Sequence, residues 1–237
     1  ISRRSKYLLF FFDKDIIMLV HLGMTGKFFF IDNRKTRYKT SFYYDLNKDK
    51  DKKHNRVIFN LSNNQKLIYN DIRKFGFIKF IKQIDLNQNF HLKHLGPEPL
   101  SKNFNTSYFN DYIKGRSRII KDILMDQKFI SGLGNIYVNE ILFFSGIRPT
   151  KKINNLSNKD IKKIIKFTKK VIARAIILGG SSIKDFSSSS GKKGSFQQHF
   201  SVYGKKGEKC FNKICSKNII KIVISNRATF YCPKCQK

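Results

Sequence analysis

The sequence changes its periodicity once, at Leu95-Gly96-Pro97-Glu98-Pro99-Leu100, and that break constrains the fold more than any other feature. Two prolines two residues apart fix their own φ and drive their predecessors out of the helical region, so no regular element crosses them. Before the break, short runs rich in Ile, Phe, Tyr and Val (Tyr7–Phe12, Ile16–Leu22, Lys27–Ile31, Arg56–Leu61, Lys66–Asn70 and Phe77–Ile81) alternate with turn signals such as Asp13-Lys14-Asp15, Gly23/Gly26 and Asn63-Asn64. These runs read as strands, and the polar stretch Asn47–Asn55 as a loop. After the break, Ser117–Met125 and Asn135–Ser145 carry apolar residues at helical spacing. Ser157, with Asp160 three residues on, reads as the N-cap of a further helix. Its Ile161, Ile164, Ile165, Thr168, Val171, Ile172, Ala175 and Ile176 form one core-facing stripe, and Gly179-Gly180 stops it. Ser181–Phe196, crowded with serine and glycine, is expected to be a flexible loop.

All four cysteines fall in the last 28 residues, as Cys210-x4-Cys215-x16-Cys232-x2-Cys235. Two close pairs can each grip one edge of a tetrahedral Zn²⁺ from a tight turn, with the residues between them forming a hairpin. Ile219–Ser225 and Arg227–Tyr231 are its expected strands. A module this small needs its metal to fold. The cofactor expected is one structural Zn²⁺ on Cys210, Cys215, Cys232 and Cys235.

The 237 residues carry 48 Lys+Arg against 16 Asp+Glu, a formal net charge of +32. With 41% hydrophobic and 14% aromatic residues the chain is not a disordered polycation. Part of the lysine excess is compositional drift of a Lys-, Asn-, Ile- and Phe-rich sequence. The remainder still disfavours a small-metabolite enzyme with no polyanionic partner and points to nucleic acid. The apolar runs are far too short to span a bilayer, and Ser2-Arg3-Arg4-Ser5-Lys6 opens no secretory signal. A cytoplasmic, nucleoid-associated monomer with no membrane partner is expected.

Three further segments carry chemistry. Ser131-Gly132-Leu133-Gly134-Asn135 leads into a helix, and a Gly-x-Gly turn there presents unpaired backbone N–H groups and a positive dipole end to a phosphate. Arg116, Arg118 and Lys121 lie just upstream. In His21-Leu22-Gly23-Met24-Thr25-Gly26, a methionine sits between glycines on a turn, a poor place for a core residue and a good one for an apolar wedge between base steps. Asp71-Ile72-Arg73-Lys74-Phe75-Gly76 offers an aromatic beside cations.

Taken in order, Ser2–Leu9, His21–Gly26, Arg73–Gly76, Leu95–Leu100, Gly132–Asn135, Gly179–Phe186 and Arg227–Cys232 resemble the bacterial formamidopyrimidine-DNA glycosylase family along the whole chain. The resemblance implies an α+β multidomain protein: a partial β-sandwich N-terminal domain (1–100), a helix–two-turn–helix DNA-binding domain (101–203) and a C-terminal zinc-finger β-hairpin (204–237). It implies double-stranded DNA containing oxidised purines or abasic sites as partner. The activity implied is excision of 8-oxoguanine and formamidopyrimidines, followed by β,δ-elimination of the abasic strand. By resemblance Met24 is the wedge, Arg73 pairs with the orphaned base and Phe75 stacks beside it, a trio that favours this family over its sibling endonuclease VIII. His54, Arg116, Lys121, Asn135 and Arg227 hold phosphates. Ser181, Ser182 and the loop through Phe196 close over the flipped base. Lys6 assists the eliminations, and Arg227 is the acid of the second.

The sequence departs from the family pattern in three places. The first cysteine pair is Cys-x4-Cys where the family has Cys-x2-Cys, and the stretch between Phe29 and His54 is long. The family's nucleophile, an N-terminal proline followed by glutamate and a helix, has no counterpart in a sequence opening at Ile1. Two expectations follow, a glycosylase/lyase given in part or a truncated, non-catalytic DNA-binding remnant. A zinc-ribbon transcription accessory explains the cysteines but not Met24, Arg73 or Gly132–Asn135. Loss of opening strands is expected to leave Tyr7–Phe12 as a sticky edge that promotes aggregation.

Overall fold

A computed structural model describes residues 1–31, 52–181 and 196–237. By its contacts the chain divides into a β unit, Ile1–Lys93, and a helical unit, His94–Gly180 with Phe196–Lys237. Ser182 and most of the loop that follows it lie outside the described residues, as do most of Asn47–Asn55 and the long stretch before His54.

The β unit has seven strands: β1 (Ser2–Arg4), β2 (Tyr7–Phe12), β3 (Ile16–His21), β4 (Lys27–Ile31), β5 (Asn55–Asn60), β6 (Lys66–Asn70) and β7 (Phe77–Lys82). They form two antiparallel sheets, ordered β1-β2-β3-β7 and β4-β6-β5. Side chains alternate between the faces of a strand, and the centre of β3, Ile17 to Val20, is apolar and buried because both of its faces are covered. Met18 and Val20 pack with Phe28 and Tyr69 of the second sheet. Ile17 and Leu19 join Leu9 on the opposite face, under Leu86 and Leu92. Burying each such side chain contributes about 1.5–3 kcal/mol.

The strand β1 was not expected from the sequence. It forms a tight hairpin with β2 through Ser5 and Lys6, with Ser5 at φ 56°, and so covers the backbone edge of Tyr7–Leu9. The pairing ends at Ser2 opposite Leu9, and beyond it Phe11 and Phe12 are exposed. An apolar groove of about 500 Å³ opens beside them, lined by Leu8, Phe10, Met18, Phe28, Phe59 and Leu67 among others.

The helical unit holds α1 (Thr106–Ile113), α2 (Ile120–Met125), α3 (Asn135–Ser145), α4 (Asn158–Ile177) and a hairpin of β8 (Ile220–Ile224) and β9 (Arg227–Tyr231). The helix α1 also escaped the sequence reading; its signal is Asn105, whose side chain caps Tyr108 N–H at 3.0 Å. α2 starts three residues later than expected because Arg118 and Ile119 are held extended, Arg118 C=O accepting from Ile153 N–H and Ile119 bridging Lys152. Ser157 and Asp160 form a reciprocal capping box on α4, and the expected stripe faces the core from Ile161 to Ala175, but Ile176, in the last turn, is 64% exposed. That core is sealed: Phe129 is fully buried among the rings of Phe104, Phe109, Tyr108 and Tyr112. Phe196 belongs to the same core, its ring tilted against Tyr137 and edge-to-face with Phe200. It anchors the end of the 181–196 segment rather than lying on it as a mobile residue.

Candidate functional site

In the β unit, the turn after β3 and the turn after β6 lie side by side. A Cβ added at Gly23, itself at φ +62°, would meet Gly76 N at 2.7 Å, so only glycine lets the two backbones approach this closely. From one turn Met24 projects into solvent, 56% exposed, and from the other Phe75, 58% exposed. Arg73 joins them: its Nη1 reaches Met24 Sδ at 3.1 Å and its guanidinium lies 4.5 Å over the Phe75 ring. The three residues picked from separate motifs thus form one exposed cluster, part apolar and part cationic.

Lys6 stands exposed at the β1–β2 hairpin tip, and strand register puts its neighbour Tyr7 opposite His21. His21 Nδ1 accepts the Gly23 N–H at 3.1 Å, which ties this end of β3 to the methionine turn. Burial, then the positive charge of Lys6 and then His91, lower the His21 pKa. His54 is half-buried, its C=O accepting Asp71 N–H at 3.0 Å and its ring 3.5 Å from Arg56 Nη2.

In the helical unit the β8–β9 hairpin is bolted to the helices. Buried Asn139 accepts Phe230 N–H at 2.6 Å and donates to Asn135 C=O at 2.7 Å. Asn135 Nδ2 donates to Ala228 C=O at 2.9 Å, and Ser225 Oγ to Asp122 at 2.8 Å. Arg227 follows the left-handed turn Ser225-Asn226 and is exposed. The first turn of α3 has Gly134 as N-cap, with no side chain capping it, and its amides are presented by Gly132 at φ 86°. Arg116 is exposed, held by Tyr112 C=O at 2.7 Å and stacked 4.5 Å over the Tyr112 ring.

Lys121, expected at a phosphate, is placed differently. It is 1% exposed, and its ammonium donates to Thr229 Oγ1 and to Ala228 C=O at 3.5 Å. Burial drags its pKa to about 8, with Asp122 opposing and Arg227 adding to the fall. It is a strut between α2 and β9. The sequence also gave no warning of Glu140, buried on α3, whose carboxylate accepts the N–H groups of Ser201, Val202 and Tyr203 at 2.8–3.0 Å. It fixes the chain entering the cysteine module.

The four cysteine sulfurs lie within 4.8 Å of one another and could hold a metal ion. Cys210 and Cys235 Sγ are 3.8 Å apart, Cys215 and Cys232 Sγ 3.6 Å. These spacings match the edge of a tetrahedron with a metal–sulfur bond of about 2.3 Å, and are far from a disulfide's. The longer Cys210–Cys215 loop is absorbed by Asn212, whose side chain accepts Ile214 N–H and whose C=O accepts Cys215 N–H. Phe211 and Ile214 bulge outward, 63% and 91% exposed, while the sulfurs still converge. The Lys217 amide lowers the Cys215 thiol to about 7, whereas burial raises the thiols of Cys210 and Cys235.

The comparisons with known proteins agree with this geometry. Residues 1–78 match the formamidopyrimidine-DNA glycosylase N-terminal domain, and residues 95–187 match the formamidopyrimidine-DNA glycosylase H2TH domain. The chain is 41% identical over 236 residues to the formamidopyrimidine-DNA glycosylase of Rickettsia massiliae, covering all of this chain and 78% of that protein. It is 37% identical over 237 residues to the enzyme of Roseobacter denitrificans, covering 82% of it. The chain belongs to the formamidopyrimidine-DNA glycosylase family. It is a DNA-repair glycosylase of the α+β type expected. Among solved structures, a Lactococcus lactis Fpg complex with abasic-site DNA is similar with TM-score 0.83 and 35% identity, over all of this chain and 80% of that one. A mutant of the same enzyme bound to Fapy-dG DNA gives 0.84 and 34% over the same shares. Among the described residues, no helix is long and apolar enough to cross a membrane.

Proposed function

We propose that this glycosylase binds duplex DNA at 8-oxoguanine, formamidopyrimidine and abasic sites, removes the damaged base and cuts the strand by β,δ-elimination. The observation that carries the reading is the exposed Met24–Arg73–Phe75 cluster. A base cannot be attacked at its sugar until it leaves the stack, and the hole left behind needs an apolar filler and hydrogen-bond donors. Met24 enters as the wedge, Arg73 offers its fork of donors to the orphaned base, and Phe75 stacks beside it. Arg116, Asn135, Arg227 and His54 hold the flanking phosphates, while Lys121 sets the hairpin that carries Arg227. Ser181 and Ser182 close over the flipped base, on a segment whose far end Phe196 anchors.

The family chemistry runs through an amine that attacks the anomeric carbon and acidifies the neighbouring C–H. Lys6, exposed at its hairpin tip, assists the elimination steps, and Arg227 is the acid of the second. Cys210, Cys215, Cys232 and Cys235 hold one structural Zn²⁺, which supplies the folding energy of the 204–237 finger and takes no part in the reaction. The three functional parts are 1–100, 101–203 and 204–237, in a cytoplasmic, nucleoid-associated monomer. The test is a duplex with 8-oxoguanine opposite cytosine, resolved on a denaturing gel after incubation with the full-length protein. Base release with nicks bearing phosphate at both ends is expected; salt-sensitive binding with no nick would establish the non-catalytic remnant instead.

A further inference from the structure

Asp71 follows β6 and is 1% exposed, yet it lies between the two turns that present the wedge cluster. Its Oδ1 accepts from Thr25 Oγ1 at 2.5 Å, on the methionine turn, and from Arg73 N–H at 3.2 Å. Its Oδ2 accepts from Gly76 N–H at 2.9 Å and from Tyr69 O–H at 3.2 Å. Every acceptor site of the carboxylate is used, and the two backbone donors sit on different oxygens, which an amide cannot reproduce. Thr25 Oγ1 also accepts Arg73 N–H at 3.0 Å, closing a triangle between the turns. Lys74, between the two amides that Asp71 holds, has φ 57°, a left-handed conformation that costs a non-glycine residue about 1 kcal/mol or more. Its neighbours' bonds to Asp71 maintain that strained turn. The backbone of Asp71 extends the same hold: its N–H donates to His54 C=O at 3.0 Å, and its C=O accepts Arg56 Nε–H at 2.9 Å.

We propose that Asp71 is the positioning residue of the strand-opening wedge, locking the Met24 turn to the Arg73–Phe75 turn so that the three side chains enter the duplex as one body. The inference rests on the reading of Met24, Arg73 and Phe75 given above and adds to it the group that makes them act together. A carboxylate that merely closed the loop after β6 would bond Arg73 and Gly76 alone; the bond to Thr25 links it to a turn 46 residues away. The four hydrogen bonds keep its pKa below the usual carboxylate value although burial alone would raise it, so the lock stays ionised at neutral pH.

The experiment uses the full chain and a duplex carrying an abasic-site analogue with 2-aminopurine opposite it, so that no chemistry is needed. Fluorescence anisotropy reports binding, and 2-aminopurine emission at saturating protein reports unstacking. Thr25→Val removes the hydroxyl that joins the turns and keeps the side-chain shape; Thr25→Ser restores the hydroxyl; Asp71→Asn breaks the lock at its centre. Thr25→Val and Asp71→Asn are expected to bind within about threefold of the native Kd, a change of about 0.65 kcal/mol, and to lose more than about half of the emission rise. Thr25→Ser is expected to behave as native. Native emission in Thr25→Val, or binding and emission lost in parallel in that variant, overturns the proposal. If the native protein itself binds without an emission rise, the wedge reading fails first and takes this inference with it.

Discussion

The two units hold their functional side chains in opposite ways. In the β unit, Met24, Arg73 and Phe75 stand out in solvent on two turns joined through the buried Asp71 carboxylate. In the helical unit, Lys121 and Asn135 are already bonded to β9, and Asn139 bonds the same strand from beneath. The first arrangement suits groups that must push into a base stack and tolerate being displaced. The second suits a rigid frame that keeps β9, with the exposed Arg227 at its start, in place.

The largest effect expected is on the finger. Cys232 has no exposure and packs with Phe143, Val202, Ile219 and Phe230, so the sulfurs and the small core around them fold together. Structural Zn²⁺ in such modules contributes about 10–16 kcal/mol of apparent folding energy. Cys232→Ser, or removal of the metal by a strong chelator, is expected to unfold 204–237 and abolish DNA binding. The β unit should keep its strand signals in a two-dimensional NMR spectrum. Metal analysis should return one zinc per chain. Loss of the β-unit signals together with the finger would break the comparison between the units.

How far these differences were legible in the sequence follows from the range of the interactions. Strands β2 to β7, helices α3 and α4 and the β8–β9 hairpin with its four converging cysteines were readable because alternation, capping residues and cysteine spacing are local patterns. β1 and α1 were missed because Ser2-Arg3-Arg4 has no apolar face to alternate and α1 is announced by one capping asparagine. Met24 and Phe75 could be singled out as apolar residues on glycine turns. Their junction with Arg73 through Asp71 and Thr25 spans almost fifty residues and has no local signal. Lys121 shows the opposite failure: a lysine beside a phosphate seat looks like a phosphate ligand, and only the tertiary position of Thr229 and Ala228 makes it a strut. Phe196 likewise looked like part of a loop until the helical core closed around it.

That reading of Lys121 makes a sharper and smaller prediction. Each phosphate contact contributes about one unit to the slope of log K against log salt. Arg116→Gln is expected to flatten the slope by about one unit and leave the melting temperature unchanged. Lys121→Met should leave the slope alone and lower stability by about 1–3 kcal/mol, because Thr229 and Ala228 lose their buried donor. A slope reduced equally in both variants would return Lys121 to the phosphate-binding group and weaken the contrast between a bonded frame and a free wedge.

The smallest effect concerns acid and falls on the β unit alone. Burial, Lys6 and His91 lower the His21 pKa, and burial with Lys79 lowers that of His91, whose Nε2 lies 3.2 Å from Lys79 Nζ. The two rings flank Phe77, centroids 5.8 and 4.6 Å away, so protonating either places a cation in a packed aromatic group beside other cations. A histidine with a folded pKa below its unfolded value of 6.5 binds more protons when unfolded. Its contribution to stability is therefore complete above pH 6.5 and is lost as the pH falls through that value toward the folded pKa. Asp71 acts in the same direction only in stronger acid, below 3.8, since its folded pKa is lowered from there. Thermal melts followed at β-unit residues should thus weaken from pH 7 to pH 5, and the slope should lessen in His91→Gln. The helical unit should weaken less across that range. An equal loss in both units would show that the acid sensitivity comes from the +32 net charge rather than from these two rings.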